Sequence, residues 1–269
     1  MERKINYLSI CYTLFLILLF LSGSLFGWVS EAVYLSAFLI PLLIGVWYCR
    51  NEKEPIGRYL SIKGSDVGFI LPLVFPTILL VMLLSFVSSY LIYTLTGVEN
   101  SVDVGDSFIP ALIIHALLPA IFEEALFRYL PMRMLSGYSK RVTVLLSAFL
   151  FALVHHSFFS FGYALLAGVV FMAIELACDS VIPSVLIHFI NNALSVGMII
   201  FTDNPAFAPA VIIFVGILSL ISVIYLVIYR AEYKRRFSEV FKSGEKFSPT
   251  VPLILLGAVC LVIAVVSIL

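Results

Sequence analysis

Charge is what this chain has least of. Only 12% of its 269 residues are Asp, Glu, Lys or Arg, while 62% are hydrophobic and mean hydropathy is +1.13. A soluble globular domain carries about 25% charged and about 45–50% apolar residues. The deficit excludes a soluble fold and leaves a polytopic membrane protein. Basic surplus is lacking too: formal net charge is zero, so nothing points to a nucleic-acid partner. Cysteine is sparse. Cys11, Cys49, Cys178 and Cys260 lie far apart with no C-x-x-C pair, which excludes a cysteine zinc site and a disulfide framework. No small-residue cleavage site follows the first apolar run, 7–29, so that run is expected to span rather than to be removed. No internal repeat is present, against a transporter built from repeated halves.

What is there is a series of apolar runs. A spanning helix needs about 20 apolar residues. The predicted fold is all-α, a polytopic helical bundle of about nine transmembrane helices near 6–28, 32–49, 67–96, 108–130, 141–157, 161–177, 181–201, 209–229 and 251–268. In lipid every backbone group must be satisfied internally, so these runs are helices. Pro72 and Pro76 are expected to kink or tilt the third. With this count, the basic residues outside the spans all fall on one side: Arg3, Lys4, Arg50, Lys53, Arg58, Lys63, Arg133, Lys140, Arg141 and the cluster in 230–250. That asymmetry predicts a cytoplasmic N-terminus. The loop 230–250 reads either as a solvated linker or as an amphipathic segment on the inner leaflet. Three regions follow: N-terminal spans 1–107, a core 108–201 rich in embedded polar groups, and C-terminal spans 202–269 with the basic loop.

Inside the core, the scarce charge is concentrated. Glu123-Glu124-x-x-x-Arg128 interrupts an apolar run, and Phe151-x-x-x-His155 and His188-x-x-x-Asn192 follow in later runs. A charged side chain at membrane depth costs roughly 2.5–3.5 kcal/mol on insertion scales, so such residues are functional candidates. Glu124 and Arg128 are i,i+4 with the acid first, the better order for a helical ion pair. Glu123 points about 100° away around the helix. It is expected to be free to act as a base toward water. His188 and Asn192 share one helix face, and an imidazole with an amide can bind a metal, orient a water or donate to an oxyanion. His115 lies two turns before Glu123 and reads as structural. Glu175 reads equally as an interfacial residue or as part of a polar cavity.

The three motifs, in this order and spacing, resemble the type II CAAX prenyl endopeptidase family, whose prokaryotic members are the CPBP or ABI intramembrane proteases. The resemblance covers about a third of the chain, residues 108–195. It implies an intramembrane endopeptidase acting on a membrane-associated or lipidated peptide or protein. Glu123 would activate the water with help from His155, and His188 and Asn192 would stabilise the oxyanion. Glu124 and Arg128 match the remaining, structural positions. Two histidines and a glutamate (Glu123, His155, His188) could hold a divalent metal such as zinc, whereas Asn192 suits oxyanion binding better, and metal-free glutamate catalysis is favoured. Two departures stand out. Tyr129 follows the motif arginine where relatives often carry glycine, and Met172 stands one turn after Gly168 where many carry a small residue. A proton- or ion-coupled transporter and a non-catalytic bacteriocin-immunity protein are the competing readings. The expected setting is a prokaryotic plasma membrane.

Depth poses a problem. Glu123 and His188 lie seven or eight residues, or roughly 10–12 Å, from the cytoplasmic ends of their runs, whereas His155 falls near the outer end of its own. The positions agree if 129–145 projects into the cytoplasm and 156–161 dips into the bilayer.

Overall fold

The computed structural model describes residues 2–25, 27–51, 55–97, 104–105, 107–153, 158–242 and 250–266; for 28, 31, 51, 56, 158–160 and 259–266 it describes the backbone only. The described chain is helical: α1 (Glu2–Gly23), α2 (Gly27–Tyr48), α3 (Gly64–Thr96), α4 (Phe108–Met134), α5 (Lys140–Leu153), α6 (Phe158–Cys178), α7 (Ile182–Ile200), α8 (Phe207–Ile228), α9 (Arg230–Val240) and α10 (Val251–Val266). Single 3₁₀ turns cover Cys49–Asn51 and Ile56–Tyr59.

Helices stand where the apolar runs predict them, but among the described residues six helices, not nine, are long and apolar enough to cross a membrane. The six long, apolar helices are α1, α3, α4, the Phe161–Cys178 part of α6, α7 and α8. In α2 the apolar stretch is Ala32–Tyr48. The described part of α5 has 14 residues and that of α10 has 16, and both stop where the described residues stop. The long α3 accommodates Pro72 and Pro76 within one continuous helix and ends on Gly97, whose φ of 69° closes its last turn.

Packing gathers the polar core. Helices α1 and α2 form one antiparallel pair, α5 and α6 another, and α3 runs against α8 and α6. Gly168 lets α6 approach α5 closely, because a Cβ there would stand 2.8 Å from the Ala148 backbone. Gly45 does the same for α2, where a Cβ would overlap the Leu130 side chain. The two departures from the family pattern are both core residues. Tyr129 packs edge-on to Tyr59 with ring centroids 6.4 Å apart, and Met172 is fully buried in the same cluster.

The basic segment after α8 begins as ordered helix. Its first part is α9, docked on α3. Tyr233 stacks on Phe69 and donates its hydroxyl to the Phe69 carbonyl at 3.0 Å. Arg236 pairs with Asp66 at 2.7 Å and lies over the Phe69 ring. Arg236 and Arg235 also hold Glu232 below the usual carboxylate range through hydrogen bonds.

Candidate active site

Helix α4 carries the glutamates and is not regular. Two π-helical stretches, Leu112–Leu117 and Ala125–Tyr129, bracket the α-helical Leu118–Glu124. Such wide turns are frequent at functional sites. Each precedes a proline, and each has a local cause. Pro119 has no N–H for the carbonyl one turn back, and its ring crowds that turn. Before Pro131, the N–H of Leu130 reaches back five residues to the Ala125 carbonyl. The next donor in that register is Pro131, which has none. The carbonyls of Leu126 and Phe127 are therefore left for side chains, and Arg128 Nη1 of the same helix donates to that of Phe127 at 3.4 Å. Tyr12 of α1 donates to Leu126 at 3.0 Å, and Ser147 of α5 donates to Phe127 at 2.5 Å. Buried carbonyls need such partners, and these two tie the motif helix to its neighbours. Tyr12 also stacks on Phe127.

Arg128 projects from the second wide turn into the core. Its Nε lies 3.4 Å from Glu124 Oε2, and both side chains are 0% exposed. Its guanidinium sits over the Phe151 ring, 4.2 Å from the centroid, and nearer the edge of Phe171, at 5.9 Å. A desolvated guanidinium gains about 2 kcal/mol from such a ring face. The phenylalanine of the second motif is thus the floor beneath the arginine of the first.

Helix α7 brings the imidazole. Its start is pinned by Ser180 Oγ, which accepts the Ile182 N–H at 3.2 Å, and by the Tyr59 carbonyl, which accepts the Val181 N–H at 3.0 Å. Arg58 holds Asp179 in the preceding turn at 3.1 Å. From this base His188 meets both glutamates. Nδ1 lies 2.8 Å from Glu124 Oε1, and Nε2 lies 3.9 Å from Glu123 Oε2. The two acids differ in access: the Glu123 side chain is 23% exposed and that of Glu124 is 0%. The two glutamates leave the helix in different directions, and one ring with a nitrogen on each side reaches both.

The remaining expected residues are placed unevenly. Asn192, one turn after His188, is half-buried, and its Oδ1 accepts from Asn191 Nδ2 at 3.3 Å. His155 and the segment proposed to dip into the bilayer lie, wholly or in part, outside the described residues. His115 falls in the first wide turn, partly buried. Glu175 is fully buried on α6. Among the described residues no group of three His, Cys, Asp or Glu is gathered as a metal site. Glu123 and His188 Nε2 face each other across a gap that suits two ligands of one ion or two groups on one water.

Sequence reasoning missed Tyr12, Ser147 and Ser180. One signal was available for Ser147. A proline four residues after Phe127 announces a carbonyl without its helical donor, though not which hydroxyl supplies one.

No curated protein and no solved structure matches the chain. All three motifs lie within residues 105–194, about a third of the chain, which match the family model for type II CAAX prenyl endopeptidases, Rce1-like.

Proposed function

We propose that the protein is an intramembrane endopeptidase that hydrolyses a peptide bond of a membrane-associated or lipidated peptide or protein. The observation that carries the reading is the single imidazole between two unlike glutamates. Glu124 is dry, ion-paired to Arg128 and bonded to His188 Nδ1; Glu123 faces His188 Nε2 and retains exposure. Only the second has access to water.

Glu123 takes a proton from a water held between its carboxylate and the imidazole, and the hydroxide attacks the scissile carbonyl. Glu124 orients the ring through Nδ1, so that Nε2 faces the reacting atoms. A ring bound in this way stabilises the charge that develops on the carbonyl oxygen. Asn192, one turn along on the same helix, adds a second donor. The proton on Glu123 passes to the leaving amine. His155 assists the water from the second motif. Where a divalent metal is used, Glu123, His155 and His188 are the residues that would hold it, and it would supply a polarised water.

The test is cleavage of a labelled peptide library by purified protein in lipid, wild type against Glu123→Gln. Products from the wild type that the variant does not form support the reading. Equal cleavage by both, or none by the wild type across acylated, prenylated and plain peptides, contradicts it.

A further inference from the structure

We propose that Asn191 is a positioning residue: its side-chain amide holds that of Asn192 by the oxygen, so that Asn192 turns its N–H donors toward the oxygen of the scissile carbonyl. The inference rests on the proteolytic reading of the site and adds to it the group that fixes the second oxyanion donor.

Helix α7 sets the arrangement. It packs along Leu112–Glu124 of α4, and His188 meets the glutamates there. At 3.6 residues per turn, Asn191 stands about 60° to one side of His188 around the helix and Asn192 about 40° to the other. The two amides thus flank the imidazole one turn along. Asn191 Nδ2 donates to Asn192 Oδ1 at 3.3 Å. An asparagine amide carries an acceptor at one end and two donors at the other. With its oxygen taken, Asn192 has Nδ2 left, and that atom has no hydrogen-bond partner among the described residues. An amide turned the other way would set lone pairs against the developing oxyanion. A donor stabilises that charge only when it is already aimed before the reaction. Ser195, on the next turn, donates to the Asn191 backbone carbonyl at 3.0 Å and so does not compete for either amide.

The direction of the bond has a physical cause. Asn191 Oδ1 is buried and has no hydrogen-bond partner among the described residues. Reversing the bond would flip the Asn191 amide and bury its two N–H donors in that same place. Buried N–H groups without an acceptor are rarer in proteins than carbonyl oxygens short of a donor. The direction observed is therefore the less costly one, and it is the one that frees the Asn192 donors. The unpaired oxygen also argues against a pair kept for stability. A buried polar atom left unsatisfied is destabilising, and the orientation of Asn192 gives a reason to keep it.

The experiment has two arms. The first measures side-chain amide order by NMR on purified protein labelled in its asparagines. The Asn192 amide should be rigid in the wild type and mobile in Asn191→Leu, which removes the donor and fills its space, and in Asn191→Ala, which adds no bulk. Equal order in wild type and variants overturns the proposal. A marked loss of thermal stability in both variants assigns Asn191 to the fold and also overturns it. The second arm is kinetic, on a peptide the protein cleaves. Asn192→Ala should lose about 10²–10³-fold in kcat, as for one oxyanion donor. Asn191→Leu should lower kcat by a smaller factor with KM kept, and should add nothing in the Asn192→Ala background. An equal loss in both backgrounds shows that Asn191 acts without Asn192 and overturns the proposal. If the wild type cleaves no peptide, the proteolytic reading fails, while the NMR arm still decides whether Asn191 holds Asn192.

Discussion

His188 Nδ1 lies 2.8 Å from Glu124 Oε1, across 64 residues of sequence, and this contact joins the first motif to the third. It puts a fully buried carboxylate behind the imidazole and leaves the other ring nitrogen for the more exposed Glu123. Two adjacent glutamates thereby acquire separate tasks, and substitutions should separate them.

Glu123→Gln should abolish cleavage, with a loss of about 10²–10⁴-fold as for other positioned acid–base groups, while thermal stability in detergent stays at the wild-type value. Single-turnover rates and unfolding curves on the same preparations check both halves. Substantial residual turnover in the variant contradicts the base assignment.

Glu124→Ala should damage folding as well as activity. It strands Arg128 as a buried charge and releases His188 Nδ1. Breaking one side of a buried pair costs about 3–5 kcal/mol. A variant as stable as the wild type in a denaturant titration would refute the pair's structural role.

Phe151→Leu should weaken the hold on Arg128 without changing any charge. The lost ring face is worth about 2 kcal/mol at a desolvated site. Stability should fall by that order, and Arg128→Gln in the Phe151→Leu background should cost less than in the wild type. Strict additivity in that double-mutant cycle would show that the stacking carries no energy.

Ser147→Ala and Tyr12→Phe each remove a hydroxyl from a carbonyl left free by the wide turn before Pro131. An unsatisfied buried carbonyl costs about 1–3 kcal/mol. Tyr12→Phe should lose stability in that range, and Ser147→Ala less, because Arg128 Nη1 still donates to the Phe127 carbonyl. Hydrogen exchange should quicken at the backbone amides of 125–130 rather than throughout the chain. Uniform exchange would deny the local role.

Access provides the last test. Glu123 retains exposure, and the basic residues all fall on one side of the membrane only if α2, α5 and α10 cross it as well, so the side of access tests that reading. Single cysteines beside Glu123 and His188, in a background without the four native cysteines, should react with an impermeant reagent applied to the cytoplasmic face. Labelling from the opposite face alone would reverse the orientation.

Much was legible in the chain itself. The shortage of charge established a membrane-embedded helical protein, because a backbone in hydrocarbon has few ways to satisfy itself. The spacing of Glu124 and Arg128 on one helix announced their pairing, since i,i+4 contacts are local. The three motifs identified the family region because their order survives any packing detail.

Other features belonged to the tertiary structure. Whether an apolar run crosses depends on how far its helix extends, which hydropathy alone does not give. That Phe151 lies under Arg128, and that Tyr12 and Ser147 take the carbonyls Pro131 leaves open, are contacts between distant helices. Periodicity describes only one helix at a time, so it could not pair them. Glu175 shows the difference most plainly. Its place near the end of an apolar run left it equally an interfacial charge or a buried one. Only the packing of α6 on α4 and α7 decided, because burial is a property of what surrounds a residue and not of its neighbours in sequence.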